Sequence, residues 1–242
     1  MNGLVASGTE LVREKLDLEV DGAALNIATI SRKGDLVPIV FFHGFGSTKE
    51  AYDAPGCRET FRSDVYKRTI PFLVKTAEAV LQRKGAQKYH LIGHSVGGLT
   101  SLMPARQNHS NVLSFVNIEG NLTSEDCLLS RQIFTHARDD SESFFKEFIE
   151  RTRRSPGFSS ALYATSLQYK VLYGRFVDNC DLMTMFSPLP FPRMFMYGER
   201  NRWSYLGRLE ENGVELAKIP LCGHFPMYLN PVEKWRRISG IL

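Results

Sequence analysis

Apolar runs of strand length alternate with stretches of helical periodicity along much of this chain, which predicts an α/β fold: a mainly parallel central sheet flanked by helices. Residues 37–42, 112–118 and 194–197 are short, nearly continuous apolar runs, the pattern of strands covered on both faces. Residues 70–84 place Phe72, Leu73, Thr76, Ala79 and Val80 at helical spacing and are closed by Gly85, a helix with a C-terminal stop. Gly93-His94-Ser95-Val96-Gly97 follows the apolar run Tyr89-His90-Leu91-Ile92 and leads into Gly98-Leu99-Thr100-Ser101-Leu102-Met103. A serine thus stands where a strand turns sharply into a helix, and the flanking glycines permit the strained backbone and close approach that such a turn needs.

Taken in chain order, residues 16–20 and 24–30 alternate around Asp21-Gly22 and read as a hairpin. The buried strand at 37–42 ends in His43-Gly44-Phe45-Gly46, the helix at 70–84 follows, and then comes the strand that carries the serine turn. Beyond it, residues 112–118, 194–197 and 214–219 are expected as further strands, and residues 231–241 as a final helix. Crossovers between parallel strands are right-handed, and ligands in such sheets sit outside the carboxyl ends of the strands, where Ser95 is placed. From about residue 121 to 180 the alternation stops, and helical stretches carry Phe144, Phe145, Phe148, Ile149, Leu162, Tyr163, Tyr169 and Tyr173. These read as a helical cap inserted into a single domain spanning 1–242, with most of the aromatic residues packing the insertion onto the body.

Composition narrows the class. With 43% hydrophobic and 23% charged residues among 242, the chain is long enough for one well-filled core, and no apolar run approaches the roughly 20 residues of a membrane span. Glu10, Glu14, Asp17 and Glu19 interrupt the N-terminal stretch, so no apolar segment of signal-peptide length is seen and a cytoplasmic location is expected. Cys57, Cys127, Cys180 and Cys222 are widely spaced with no C-x-x-C pair, which fits reduced thiols and no metal site. A formal charge of +4 is modest, and Arg151-Thr152-Arg153-Arg154 lies in a helical stretch with acidic neighbours. A solvated face explains it, and no nucleic-acid partner is expected.

A serine hydroxyl is a poor nucleophile at neutral pH. It needs a histidine to take its proton, a carboxylate to orient that histidine and backbone donors for the developing oxyanion. Ser95 is the candidate nucleophile, and His224 in Cys222-Gly223-His224-Phe225-Pro226, in the loop after the last strand, is the candidate base. Phe45, in the loop opened by His43, and Val96, directly after the serine, are the candidate oxyanion donors, with His43, Gly44 and Met227 as substrate-side residues. His90, His94, His109 and His136 read as structural or surface residues, since a lone histidine carries little signal.

In this order, His43-Gly44-Phe45-Gly46, Asp53-Ala54-Pro55-Gly56, the Ser95 turn, Tyr197-Gly198 and Gly223-His224 resemble the motifs of the α/β-hydrolase superfamily. The likeness is to its compact, cap-bearing esterases, lipases and C–C hydrolases, and covers nearly the whole chain. It implies the α/β-hydrolase fold and a serine nucleophile without cofactor or metal. The chain departs from the pattern twice. Only residues 47–51 separate the oxyanion loop from Tyr52-Asp53-Ala54-Pro55-Gly56, fewer than the dozen or so of a parallel crossover; a trimmed crossover and a missing stretch both stay open. The second departure is in the acid: relatives commonly place an aspartate three residues after the glycine of the late strand, and here that slot is Asn201.

An amide cannot stabilise an imidazolium as a carboxylate does. Some relatives take the acid from the end of the strand after the helix that follows the serine turn, and here that strand ends Asn117-Ile118-Glu119-Gly120. A glutamate closing an apolar strand is costly to desolvate unless it is paired, so Glu119 is the first candidate and Glu199, beside Gly198, the second. Asp181, Asp126 or a dyad without an acid complete the alternatives. The expected activity is hydrolysis of a carboxylic ester of a small or medium apolar substrate through an acyl-enzyme. Phe145, Tyr163, Met183, Met185 and Phe186 of the cap region, with Met227, suggest an apolar acyl or alcohol group. C–C bond hydrolysis, lyase or perhydrolase chemistry on the same serine is the alternative, and a non-catalytic ligand receptor on this fold is the third.

Overall fold

The computed structural model describes residues 11–32, 37–44, 70–127, 143 and 182–242. Strands β1 (Leu11–Val20) and β2 (Ala23–Arg32) form an antiparallel hairpin paired from Leu11↔Arg32 to Val20↔Ala23. Its turn is two residues, Asp21 and Gly22, both at positive φ (49° and 71°), as a tight hairpin turn that follows the strands' own twist requires. The strands run farther outward than the alternation suggested. Their outer halves carry Arg13, Glu14, Lys15, Thr29 and Ser31, so apolar contrast between the two faces is low there. The hairpin packs Val20 and Leu25 onto Phe72 of helix α1 (Ile70–Arg83).

Five parallel strands build the body in the order β3 (Ile39–Phe42), β4 (Tyr89–His94), β5 (Val112–Ile118), β6 (Arg193–Gly198) and β7 (Glu215–Ile219). Side chains alternate across a sheet, and here neighbouring residues enter two different cores. Leu91, Phe115 and Phe195 join one cluster with Leu99, Leu102, Phe186 and Leu209. Ile92, Val116, Met194 and Met196 join the other with Ala217, Ile219 and Ile238. Both faces are therefore covered, which is why β3, β5 and β6 read as nearly continuous apolar runs rather than as alternating ones.

The remaining described helices are α2 (Val96–Gln107), α3 (Met183–Phe186), α4 (Leu206–Glu211), α5 (Pro226–Leu229) and α6 (Pro231–Ile238), with a 3₁₀ turn at Ser124–Cys127. Asn230 caps α6 by accepting the Glu233 N–H. Among these helices none is long and apolar enough to cross a membrane. Met183 and Phe186, expected to belong to the cap, are instead buried in the body, with Phe186 edge-on to Phe115 at 5.5 Å. The rest of the expected cap from 128 to 181, other than residue 143, and the short stretch 47–51 lie outside the described residues.

Candidate active site

The turn at Ser95 joins β4 directly to α2. Ser95 holds φ 53° and ψ −123°, a conformation that costs a non-glycine residue on the order of 1–3 kcal/mol. It is held by its N–H donating to Ile118 O (2.9 Å) and by its carbonyl accepting from Gly98 N–H (2.9 Å). The flanking glycines are dictated by space. A Cβ on Gly97 would stand 2.1 Å from Phe42 O, and one on Gly93 would stand 2.6 Å from Gly97 O, so β3, β4 and the first turn of α2 approach more closely than any side chain allows. Gly44, at the end of β3's loop, lies against the same turn, where its Cβ would be 2.8 Å from that of Ser95. His43 is exposed, and its Nδ1–H donates to Gly44 O at 3.1 Å. Phe45 lies outside the described residues.

Glu119 directly follows β5, one strand over from Ser95. It too has positive φ, 48°, and is only 3% exposed. A buried carboxylate must be supplied with donors, and three converge on it. Oε1 accepts from Gly198 N–H at 2.6 Å and from Asn201 Nδ2 at 2.8 Å; Oε2 accepts from Trp203 Nε1 at 3.3 Å and faces His224 Nδ1 at 3.7 Å. The asparagine in the slot where relatives commonly place an aspartate is therefore a donor to the Glu119 carboxylate. Sequence reading registered Asn201 only as a lost charge; its hydrogen-bonding role, like those of Trp203 and the Gly198 amide, needed the fold to be seen.

Glu199, the other carboxylate proposed, accepts the Leu221 N–H at 3.0 Å and so braces the turn after β7. Asp126 accepts the N–H groups of Leu122 (2.6 Å) and Thr123 (3.1 Å). Burial, with the Glu119 charge adding to it, pushes the Asp126 carboxyl up to about 6. Asp181 lies outside the described residues.

His224 sits between β7 and α5, with a ring partly open to solvent and edge-on to Phe225 at 5.0 Å. Its Nδ1 points toward Glu119, leaving Nε2 for another partner. Met227, three residues on, is buried in α5. Cys222, nearby in sequence, is buried and its Sγ–H donates to Ile219 O; burial raises its thiol to about 11, so it carries no thiolate at neutral pH. Among the described residues no group of three or more His, Cys, Asp and Glu side chains could hold a metal ion. The carboxyl edge of the sheet thus carries a serine on a strained turn and, at neighbouring strand ends, a carboxylate facing an imidazole.

A parallel α/β sheet with a strained serine turn at its carboxyl edge defines a class of proteins rather than one substrate. A family model for the alpha/beta hydrolase fold matches residues 51–204, and the chain belongs to that family. No curated protein sequence matches the chain significantly. Solved structures agree on the fold. The epoxide hydrolase CorEH superposes with TM-score 0.72 at 15% identity, covering 96% of this chain and 98% of its own. Naproxen esterase (carboxylesterase NP) from Bacillus subtilis gives 0.69 at 15%, covering 96% and 92%. An N-acyl homoserine lactone degrading enzyme gives 0.69 at 17%, covering 94% and 100%.

Proposed function

We propose that the protein is a serine hydrolase that cleaves carboxylic esters of small or medium apolar substrates through an acyl-enzyme. Ser95 Oγ attacks the carbonyl carbon while its proton passes to His224 Nε2. The tetrahedral intermediate collapses, the ester C–O bond breaks, and His224 returns the proton to the departing alkoxide. A water molecule then repeats the sequence on the acyl-enzyme, giving the carboxylic acid and the free serine. Glu119 holds the imidazole through Nδ1 and stabilises the imidazolium. Val96 N–H, at the first position of α2, has no acceptor within its own helix and with Phe45 N–H supplies the oxyanion site, helped by the positive end of the α2 dipole.

The observation that carries this reading is the Glu119–His224 pair, 3.7 Å apart, at the same sheet edge as a serine forced to φ 53°. The esterases among the structural neighbours are consistent with it. Hydrolysis of p-nitrophenyl butyrate together with fluorophosphonate labelling mapped to Ser95 tests it. Wild type is expected to turn over and label, and Ser95→Ala to do neither. Full activity in Ser95→Ala, or no labelling of wild type, overturns the reading.

A further inference from the structure

We propose that His94 is a positioning residue for the catalytic base, its buried Nε2–H pinning the His224 carbonyl so that the base loop is fixed relative to Ser95. This rests on the reading of His224 as the base. His94 Nε2 lies 2.7 Å from His224 O, across 130 residues of chain. A carbonyl oxygen only accepts, so the hydrogen is on Nε2. His94 is covalently next to Ser95, and the pin therefore spans the shortest route there is between the nucleophile's backbone and the loop that carries the base.

The rest of the ring's surroundings fit a fixed, neutral strut. The residue is fully buried, and among the described residues its Nδ1 has no hydrogen-bond partner. A protonated ring would bury a second N–H with nothing to accept it. Burial drives its pKa well below the usual histidine range; the neighbouring His224 and, more weakly, His43 and Lys234 add to that, and the His224 carbonyl only partly opposes them. The ring also packs against His224 (centroids 4.9 Å apart, 50° tilt) and Phe225 (5.4 Å, 55°). On its other side a Cβ at Gly44 would reach to 2.6 Å from Nδ1, so a glycine is needed there for the oxyanion loop to close onto the same ring. One imidazole thus touches all three segments that the reaction requires.

The test compares His94→Leu, which removes the donor, with His94→Gln, whose side-chain amide offers an N–H near the place of Nε2. In His94→Leu, kcat on p-nitrophenyl butyrate is expected to fall on the order of a hundredfold with KM little changed, the loss that small misplacement of a catalytic group brings. His94→Gln, which restores an N–H donor to the His224 carbonyl, should recover most of kcat. A Leu variant with wild-type kcat, one whose loss lies in KM, or a Gln variant no better than Leu overturns the pin. Should the Leu variant not fold, ¹⁵N NMR of the wild-type imidazoles decides. Hydrogen on Nε2 and a bare Nδ1 on both sides of the ordinary histidine pKa of about 6.5 supports the pin, and an Nδ1–H tautomer or protonation there sinks it. Ser95→Ala assayed in parallel separates the two readings, since hydrolysis surviving that change defeats the acyl-enzyme while leaving the tautomer result to stand.

Discussion

At Glu119 a positive φ and near-complete burial coincide with three N–H donors. A carboxylate satisfies all three at once, whereas a glutamine must turn an NH₂ toward either a donor or the imidazole. Glu119→Gln is therefore expected to lower kcat on the order of 10⁴-fold, the loss that follows when an orienting acid becomes an amide and the histidine takes the wrong tautomer. Glu199→Gln, which keeps an acceptor for the Leu221 amide, should leave kcat within a fewfold, and steady-state kinetics on one ester compares the two. Asp126 gives a pH signature. Its pKa in the fold, about 6 against an ordinary 3.8, means that the folded chain binds the proton more tightly than the unfolded one. The resulting destabilisation is absent below the ordinary value, grows as pH rises and is complete above the folded value. At about 1.4 kcal/mol per pH unit its ceiling is about 3 kcal/mol. Asp126→Asn keeps an oxygen for the Leu122 and Thr123 amides without the charge, so its Tm relative to wild type should climb from mildly acidic to neutral pH. A flat difference would show that Asp126 is not the group responsible.

Among the elements, the junction of β3, β4 and α2 is the most tightly specified. Gly97→Ala would drive a methyl into Phe42 O, which backbone cannot yield cheaply; the expected result is a displaced α2 and loss of fluorophosphonate labelling, checked against circular dichroism to show that the chain still folds. The sequence carried this junction openly, because its glycines and its serine are local requirements of one turn. Strand β5 was also readable to its last residue, since Val112 to Ile118 is buried on both sides with polar Ser114 and Asn117 too few to break the run. The six residues of α4 were missed, being too short to show a period and burying only Leu209. For the acid, the sequence put Glu119 first and Glu199 second, with Asp181, Asp126 or a dyad as further alternatives. The contacts that favour Glu119, the approach of His224 Nδ1 and the Asn201 and Trp203 donors, are made by residues far off in the chain. His94, expected as a structural or surface residue, is buried with Nε2 on the His224 carbonyl, a contact across the chain that no local pattern in the sequence shows.

At the scale of the whole molecule, the central sheet is sandwiched between two apolar layers, and Phe186 ties the segment returning from the expected cap to the layer that holds Phe115. Truncation there, Phe186→Ala, should cost about 3–5 kcal/mol and lower Tm by several degrees per kcal/mol lost at most, measurable by calorimetry. The hairpin at the beginning of the described chain is bound quite differently. It shares no strand pairing with the five-stranded sheet and meets α1 through the small cluster of Val20, Leu25 and Phe72, with Lys75–Asp21 and Lys84–Glu14 pairs at the solvent-exposed margin. Ion pairs of that kind contribute little and are screened by salt. Amide deuteration should therefore spread from β1 and β2 well before it reaches β5, and sooner at high ionic strength, making the hairpin a unit that can peel away and re-dock while the catalytic scaffold stays shut.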